Sequence, residues 1–275
     1  MRPFFLLAFL PVAFWAAAPA LTIENPVVSQ MEGGDPDAAG FEHIAGETLF
    51  FSCRVSGFTK AADDKIHLTY SVQAFDPKGV PLAEIYKNEI SEEVLPQDKE
   101  WLPKIATEVQ IPPLALPGEY KIVVKAEDAL ANTSTETPVP FRVRGRAVAP
   151  SDKLTIRNFG FYRDEDDAQP LPKPVYHNGS NLAAKFDITG YQYGPNNKID
   201  VTYVVSILGA GDRVLWKQPE PAADQSESFY PKPYISASMS LGLETVKAGE
   251  YTMMVRVMDA TGKQTSETKY PFTVE

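Results

Sequence analysis

Lys65-Ile66-His67-Leu68-Thr69-Tyr70-Ser71-Val72-Gln73-Ala74 sets Ile66, Leu68, Tyr70, Val72 and Ala74 on one side and His67, Thr69, Ser71 and Gln73 on the other. Successive side chains of a β-strand point to opposite faces, so this period of two predicts a strand with one buried face. The passage returns 133 positions later as Lys198-Ile199-Asp200-Val201-Thr202-Tyr203-Val204-Val205-Ser206-Ile207. The copy keeps its apolar side (Ile199, Val201, Tyr203, Val205, Ile207) more strictly than its polar one, as burial demands.

The repetition extends in both directions. Leu21-Thr22-Ile23-Glu24-Asn25 is answered by Leu154-Thr155-Ile156-Arg157-Asn158, and the alternation at Leu49, Phe51, Cys53 and Val55 by Leu182, Ala184, Phe186 and Ile188. Farther on the spacing slips by two residues. Gly118-Glu119-Tyr120 returns as Gly249-Glu250-Tyr251, Asp128 as Asp259, and Pro140-Phe141 as Pro271-Phe272. Shorter strands are expected at Leu21 to Val28, Pro81 to Tyr86, Ile105 to Ile111 and Val139 to Val143, giving about seven strands per unit, separated by turns such as Asp76-Pro77-Lys78-Gly79 and Ala210-Gly211-Asp212. No window carries a helical stripe, and 24 prolines disfavour long helices. A unit of this length is a duplicated domain rather than a short solenoid repeat. About seven one-faced antiparallel strands are best buried as two sheets packed face to face.

Leu116-Pro117-Gly118-Glu119-Tyr120 and Val246-Lys247-Ala248-Gly249-Glu250-Tyr251, followed by Ile122 to Asp128 and Met253 to Asp259, resemble the tyrosine corner leading into strand F of immunoglobulin-like and fibronectin type III-like domains of secreted bacterial proteins. The resemblance implies an all-β fold of two tandem seven-stranded immunoglobulin-like β-sandwiches, over residues 21–144 and 153–275, joined by a linker at 145–152. In that family the tyrosine hydroxyl ties the strand entrance to nearby backbone. The antibody-type disulfide is not implied. Cys53 stands where the strand B cysteine would, but the strand F position is Ile122, and the second unit has Phe186 and Met253 there. Such a motif specifies a fold far better than a task.

Residues 1–20 read as a signal peptide: one charge at Arg2, an apolar run from Phe4 to Trp15, and the small-x-small end Ala18-Pro19-Ala20. An uncleaved membrane anchor is the competing reading, since Pro3 to Leu21 is uncharged. Cleavage would start the chain at Leu21, where the first repeat begins, and would leave no transmembrane segment. Without Arg2, the 26 Lys+Arg fall to 25 against 36 Asp+Glu, a formal charge of −11. Such acidity repels phosphate backbones, which argues against nucleic acid as a partner. The chain is expected to be exported to the periplasm, the cell envelope or the outside. Cys53 is the only cysteine, which excludes an intramolecular disulfide, and its counterpart Phe186 marks a core position.

Familiar catalytic equipment is missing. His43, His67 and His177 are answered by Tyr176, Asp200 and Ile44, with no His-Glu-x-x-His spacing and no Gly-x-Ser-x-Gly elbow. No catalytic residue and no cofactor is assigned. Acidic loops containing Asp35 and Asp37, and Asp164, Asp166 and Asp167, could offer oxygens to calcium. Trp101, Trp216, Tyr191, Tyr193, Tyr230 and Tyr234 are candidate ligand-binding aromatics, either stacked on a sugar or plugging the ends of the sheets. The expectation is a non-enzymatic binding or structural module with a protein or glycan partner, recognising through Phe229 to Tyr234, Tyr191 to Asn197 and the acidic loops. A carbohydrate-binding accessory protein, and an enzyme subunit or hydrolase with paired carboxylates, are the alternatives.

Overall fold

The computed structural model describes residues 20–95, 97–98 and 100–275; the signal peptide expected over 1–20 lies, Ala20 apart, outside the described residues. Nearly all the regular structure of the described residues is β-strand. The first half contains β1 (Thr22–Ser29), β2 (Glu42–Ile44), β3 (Thr48–Ser56), β4 (Lys65–Phe75), β5 (Tyr86–Glu93), β6 (Lys104–Gln110), β7 (Gly118–Asp128) and β8 (Thr133–Arg144). The second contains β9 (Thr155–Tyr162), β10 (Val175–Tyr176), β11 (Asn181–Thr189), β12 (Val201–Leu208), β13 (Val214–Lys217), β14 (Ala222–Asp224), β15 (Ile235–Gly242), β16 (Gly249–Asp259) and β17 (Gln264–Val274). Two three-residue 3-10 turns, Pro195–Asn197 and Ala210–Asp212, are the only helical segments among the described residues, and no helix there is long and apolar enough to cross a membrane.

Each half has a three-stranded sheet, β1-β3-β6 or β9-β11-β15, and a larger one, β2-β8-β7-β4-β5 or β10-β17-β16-β12-β13, with β14 also on β12. Apart from β5, whose place beside β4 is taken in the second half by β13 and β14, the registers match. Ile23 opposes Val55 as Ile156 opposes Ile188, Leu68 opposes Asp128 as Val201 opposes Asp259, and the parallel pair Glu42–Arg142 returns as Val175–Thr273. Both sheets of a half feed one buried cluster: Leu49, Phe51, Ile66, Leu68, Ile105 and Ile122 in the first, Leu182, Phe186, Ile199, Val205, Met253 and Val255 in the second.

The repeated residues explain themselves locally. Asn25 and Asn158 both adopt φ 48° at the irregularity that bends the opening strand, a left-handed conformation that asparagine tolerates better than most residues. Tyr120 donates to the Leu116 carbonyl and Tyr251 to that of Lys247, each at 2.7 Å and four residues upstream. Buried Asp128 accepts from the Thr59 and Leu130 amides, and buried Asp259 from those of Gln192 and Gly262, so each carboxylate fastens two loops at one end of its half. Gly57 and Gly190 have positive φ, and a Cβ on either would strike the carbonyl of Ala20 or Lys153.

Three local features differ from expectation. The strand expected at Pro81 to Tyr86 begins only at Tyr86, with a single bridge between Phe75 and Pro81. The last strand of the first half runs from Thr133 rather than Val139. His43, which precedes the strand expected at Leu49 to Val55 and would there lie in a loop, sits instead in the short parallel strand β2. The described halves thus divide into eight and nine strands.

Candidate functional site

The two copies differ in bulk along the seam between the opening strand of the three-stranded sheet and the last strand of the larger one. In the second half this seam is filled by rings. Phe159 stacks on Tyr270 with centroids 3.4 Å apart and planes 2° from parallel, Phe161 meets Phe159 edge-on at 4.9 Å, and Tyr176 lies 6.1 Å from Phe272. The first half has Pro26 for Phe159, Val28 for Phe161, His43 for Tyr176, Cys53 for Phe186 and Val139 for Tyr270. Five rings give way to smaller groups, or, at His43, to a smaller and more polar ring.

Part of the vacated space is a cleft of about 470 Å³. That lies within the roughly 300–1,000 Å³ typical of small-ligand sites. Pro26 and Val28 of β1 form one wall, Val139, Pro140 and Phe141 of β8 another, and the crossover segment Pro36 to Phe41 the rim. His43 in the lining is only 2% exposed. Its Nε2 donates to Asp37 Oδ2 at 2.9 Å, its Nδ1 lies 3.9 Å from Glu47 Oε2, and Phe41 packs edge-on at 5.0 Å. The Asp37 amide also donates to the Val28 carbonyl at 2.9 Å, so the crossover segment is fastened at the point where its carboxylate reaches the imidazole. Glu119 and Arg142, opposed across β7 and β8, add one charge of each sign. The lining contains no serine, threonine, cysteine or lysine.

Two of the expected aromatics meet elsewhere. Tyr191 and Tyr193 meet edge-on at 5.6 Å, and both hydroxyls donate to the Lys232 carbonyl. Lys232 Nζ binds both oxygens of Asp224, at 3.2 and 2.9 Å, while Asn197 Nδ2 donates to the Ser228 and Phe229 carbonyls. The segment so held carries Tyr230 across to the first half, where the ring packs on the buried cluster and its hydroxyl donates to Asp76 Oδ2 at 3.1 Å. Burial pushes the Tyr230 phenol up, with Tyr120 and Asp76 adding to it; burial and Asp76 push Tyr120 up to about 12. Tyr234 is buried, its phenol raised by burial and by the nearby Asp187 carboxylate. Trp101 packs on the first cluster and Trp216, on β13, on the second.

The expected calcium ligands do not converge. Asp35, Asp164 and Asp166 are exposed, Asp37 holds His43, and Asp167 accepts from the Arg163 amide at 3.1 Å. Among the described residues, no group of three or more His, Cys, Asp or Glu side chains is placed to hold a metal ion. The cleft was missed because it is defined by small residues. The signal was available in the concentration of size losses at Pro26, Val28, His43 and Val139 against their counterparts.

No family model matches the chain, and no curated protein matches it.

Proposed function

We propose that the chain is an exported, non-catalytic binding or structural module built of two duplicated immunoglobulin-like β-sandwiches, residues 21–144 and 153–275, acting at the cell envelope or outside it. One observation carries the reading: the positions held in both halves, such as Tyr120/Tyr251 and Asp128/Asp259, fasten backbone, whereas the first-half cleft is found where the copies diverge. Duplication with a preserved interior and a changed surface is what a scaffold reused for recognition would leave. The tyrosine corners and the common strand order support the immunoglobulin-like assignment. N-terminal sequencing of the exported protein is expected to begin at Leu21. Crosslinking in envelope fractions is expected to give one defined adduct. A product retaining residues 1–20 would end the export reading, and turnover of substrate by the purified chain would end the non-catalytic one.

A further inference from the structure

We propose that the first-half cleft receives an aromatic side chain of a partner polypeptide, seated as Phe159 and Tyr270 are seated in the second half. The inference deepens the binding-module reading and rests on it. The registers of β1 on β3, β2 on β8 and β7 on β8 repeat in the second half without offset, so Pro26 and Val139 occupy the backbone positions of Phe159 and Tyr270. The second copy therefore displays what this seam accommodates: Phe159 and Tyr270 face to face, with Phe161 edge-on to Phe159 and tilted against Phe272, the phenylalanine that the first half keeps as Phe141.

The remaining lining suits a ring brought from outside. Phe41 and Phe141 offer apolar faces, and Arg142, where the second half has Thr273, supplies a guanidinium of the kind that stacks on aromatic planes. The occupant is a side chain and not an added strand. Ala45 N donates to Arg144 O at 3.2 Å, which shows that even-numbered residues of β8 direct their backbone toward the β2 side. Pro138 and Pro140 fall on that side and lack the N–H groups a new strand would need.

The test is an NMR titration of the chain from Leu21 with N-acetyl-phenylalanine amide and N-acetyl-tyrosine amide. Saturable shifts are expected at Phe41, His43, Val139, Phe141 and Arg142, with N-acetyl-leucine amide roughly 2- to 10-fold weaker, the factor an aromatic contact adds. The double variant Pro26→Phe, Val139→Tyr restores the second-half rings and is expected to abolish the shifts while keeping the spectrum folded. Should it fail to fold, Arg142→Thr and Phe41→Ala decide, each expected to weaken binding. Absent or scattered shifts, equal affinity for the leucine amide, or unaltered affinity in the folded variants would overturn the proposal. An envelope adduct that forms equally on the double variant would remove the cleft as the site and leave the binding-module reading standing.

Discussion

At Tyr120, burial and the adjacent Asp76 carboxylate act on one proton. The folded phenol is pushed up to about 12, whereas an unfolded tyrosine ionises near pH 10. The folded chain therefore holds this proton more tightly. Its contribution is intact below about pH 10 and is lost as pH rises toward 12, since the unfolded state then binds fewer protons than the folded one. Tyr176, Tyr191 and Tyr230 are shifted in the same direction, chiefly by burial, and reinforce the effect. The urea midpoint is expected to be level from about pH 8 to 9.5 and to fall steeply beyond pH 10. Tyr120→Phe should start about 1 kcal/mol less stable, having lost its bond to Leu116, yet decline less steeply by up to about 1.4 kcal/mol per pH unit. A midpoint unchanged from pH 10 to 12 would contradict the argument. Cys53 follows the same physics: burial pushes its thiol up to about 12, as befits a position answered by Phe186.

At the scale of the strand, the irregularities in β1 and β9 separate backbone from side-chain effects. Asn25 and Asn158 share one left-handed conformation, but only Asn158 donates to the fully buried Asp187, at 2.8 Å. Asn25→Val is expected to cost about 1–2 kcal/mol through backbone strain alone. Asn158→Val should cost about 1–3 kcal/mol more, because a buried carboxylate loses a donor. Glycine distinguishes the two terms: Asn25→Gly should be nearly neutral, whereas Asn158→Gly keeps the second penalty, both read by chemical denaturation. Equal costs at the two sites would dismiss the side-chain term. Elements with one wet and one dry face, β3, β4, β7 and β16, were legible in the sequence because burial writes a period of two, whereas β11 and β12, buried on both faces over much of their length, were legible through their likeness to β3 and β4. The edge strand β5, Tyr86 to Glu93, is almost wholly exposed and carries no such period, so its bounds were misplaced. The parallel strands β2 and β10 are three and two residues long, too short to hold any period. The cleft left no motif, because a site made by substituting proline and valine for rings shows only against the other copy.

Across the whole molecule, the contacts between the halves set how far one can unfold without the other. Arg146, just past β8, binds the buried Asp187 of the second half through Nε at 2.8 Å, and Asn158 reaches the Ala147 carbonyl at 3.2 Å. In the other direction Tyr230 inserts onto the first cluster and bonds to Asp76, whose other oxygen accepts from the Lys78 and Val80 amides at 2.8 Å. Stripping Arg146 leaves a buried carboxylate without its cation, and stripping Tyr230 removes a ring and a hydrogen bond together, losses of about 1–3 kcal/mol each. In the chain from Leu21, Trp101 and Trp216 provide a fluorescence probe in each half, so Trp216→Phe and Trp101→Phe report the halves separately. Both probes are expected to give coincident urea transitions. Adding Tyr230→Ala and Arg146→Ala should split them, because each half then unfolds without removing a contact from the other. Transitions already apart before those two changes would show that the ties do not couple the halves, and coincidence persisting after them would place the coupling elsewhere along residues 145–152.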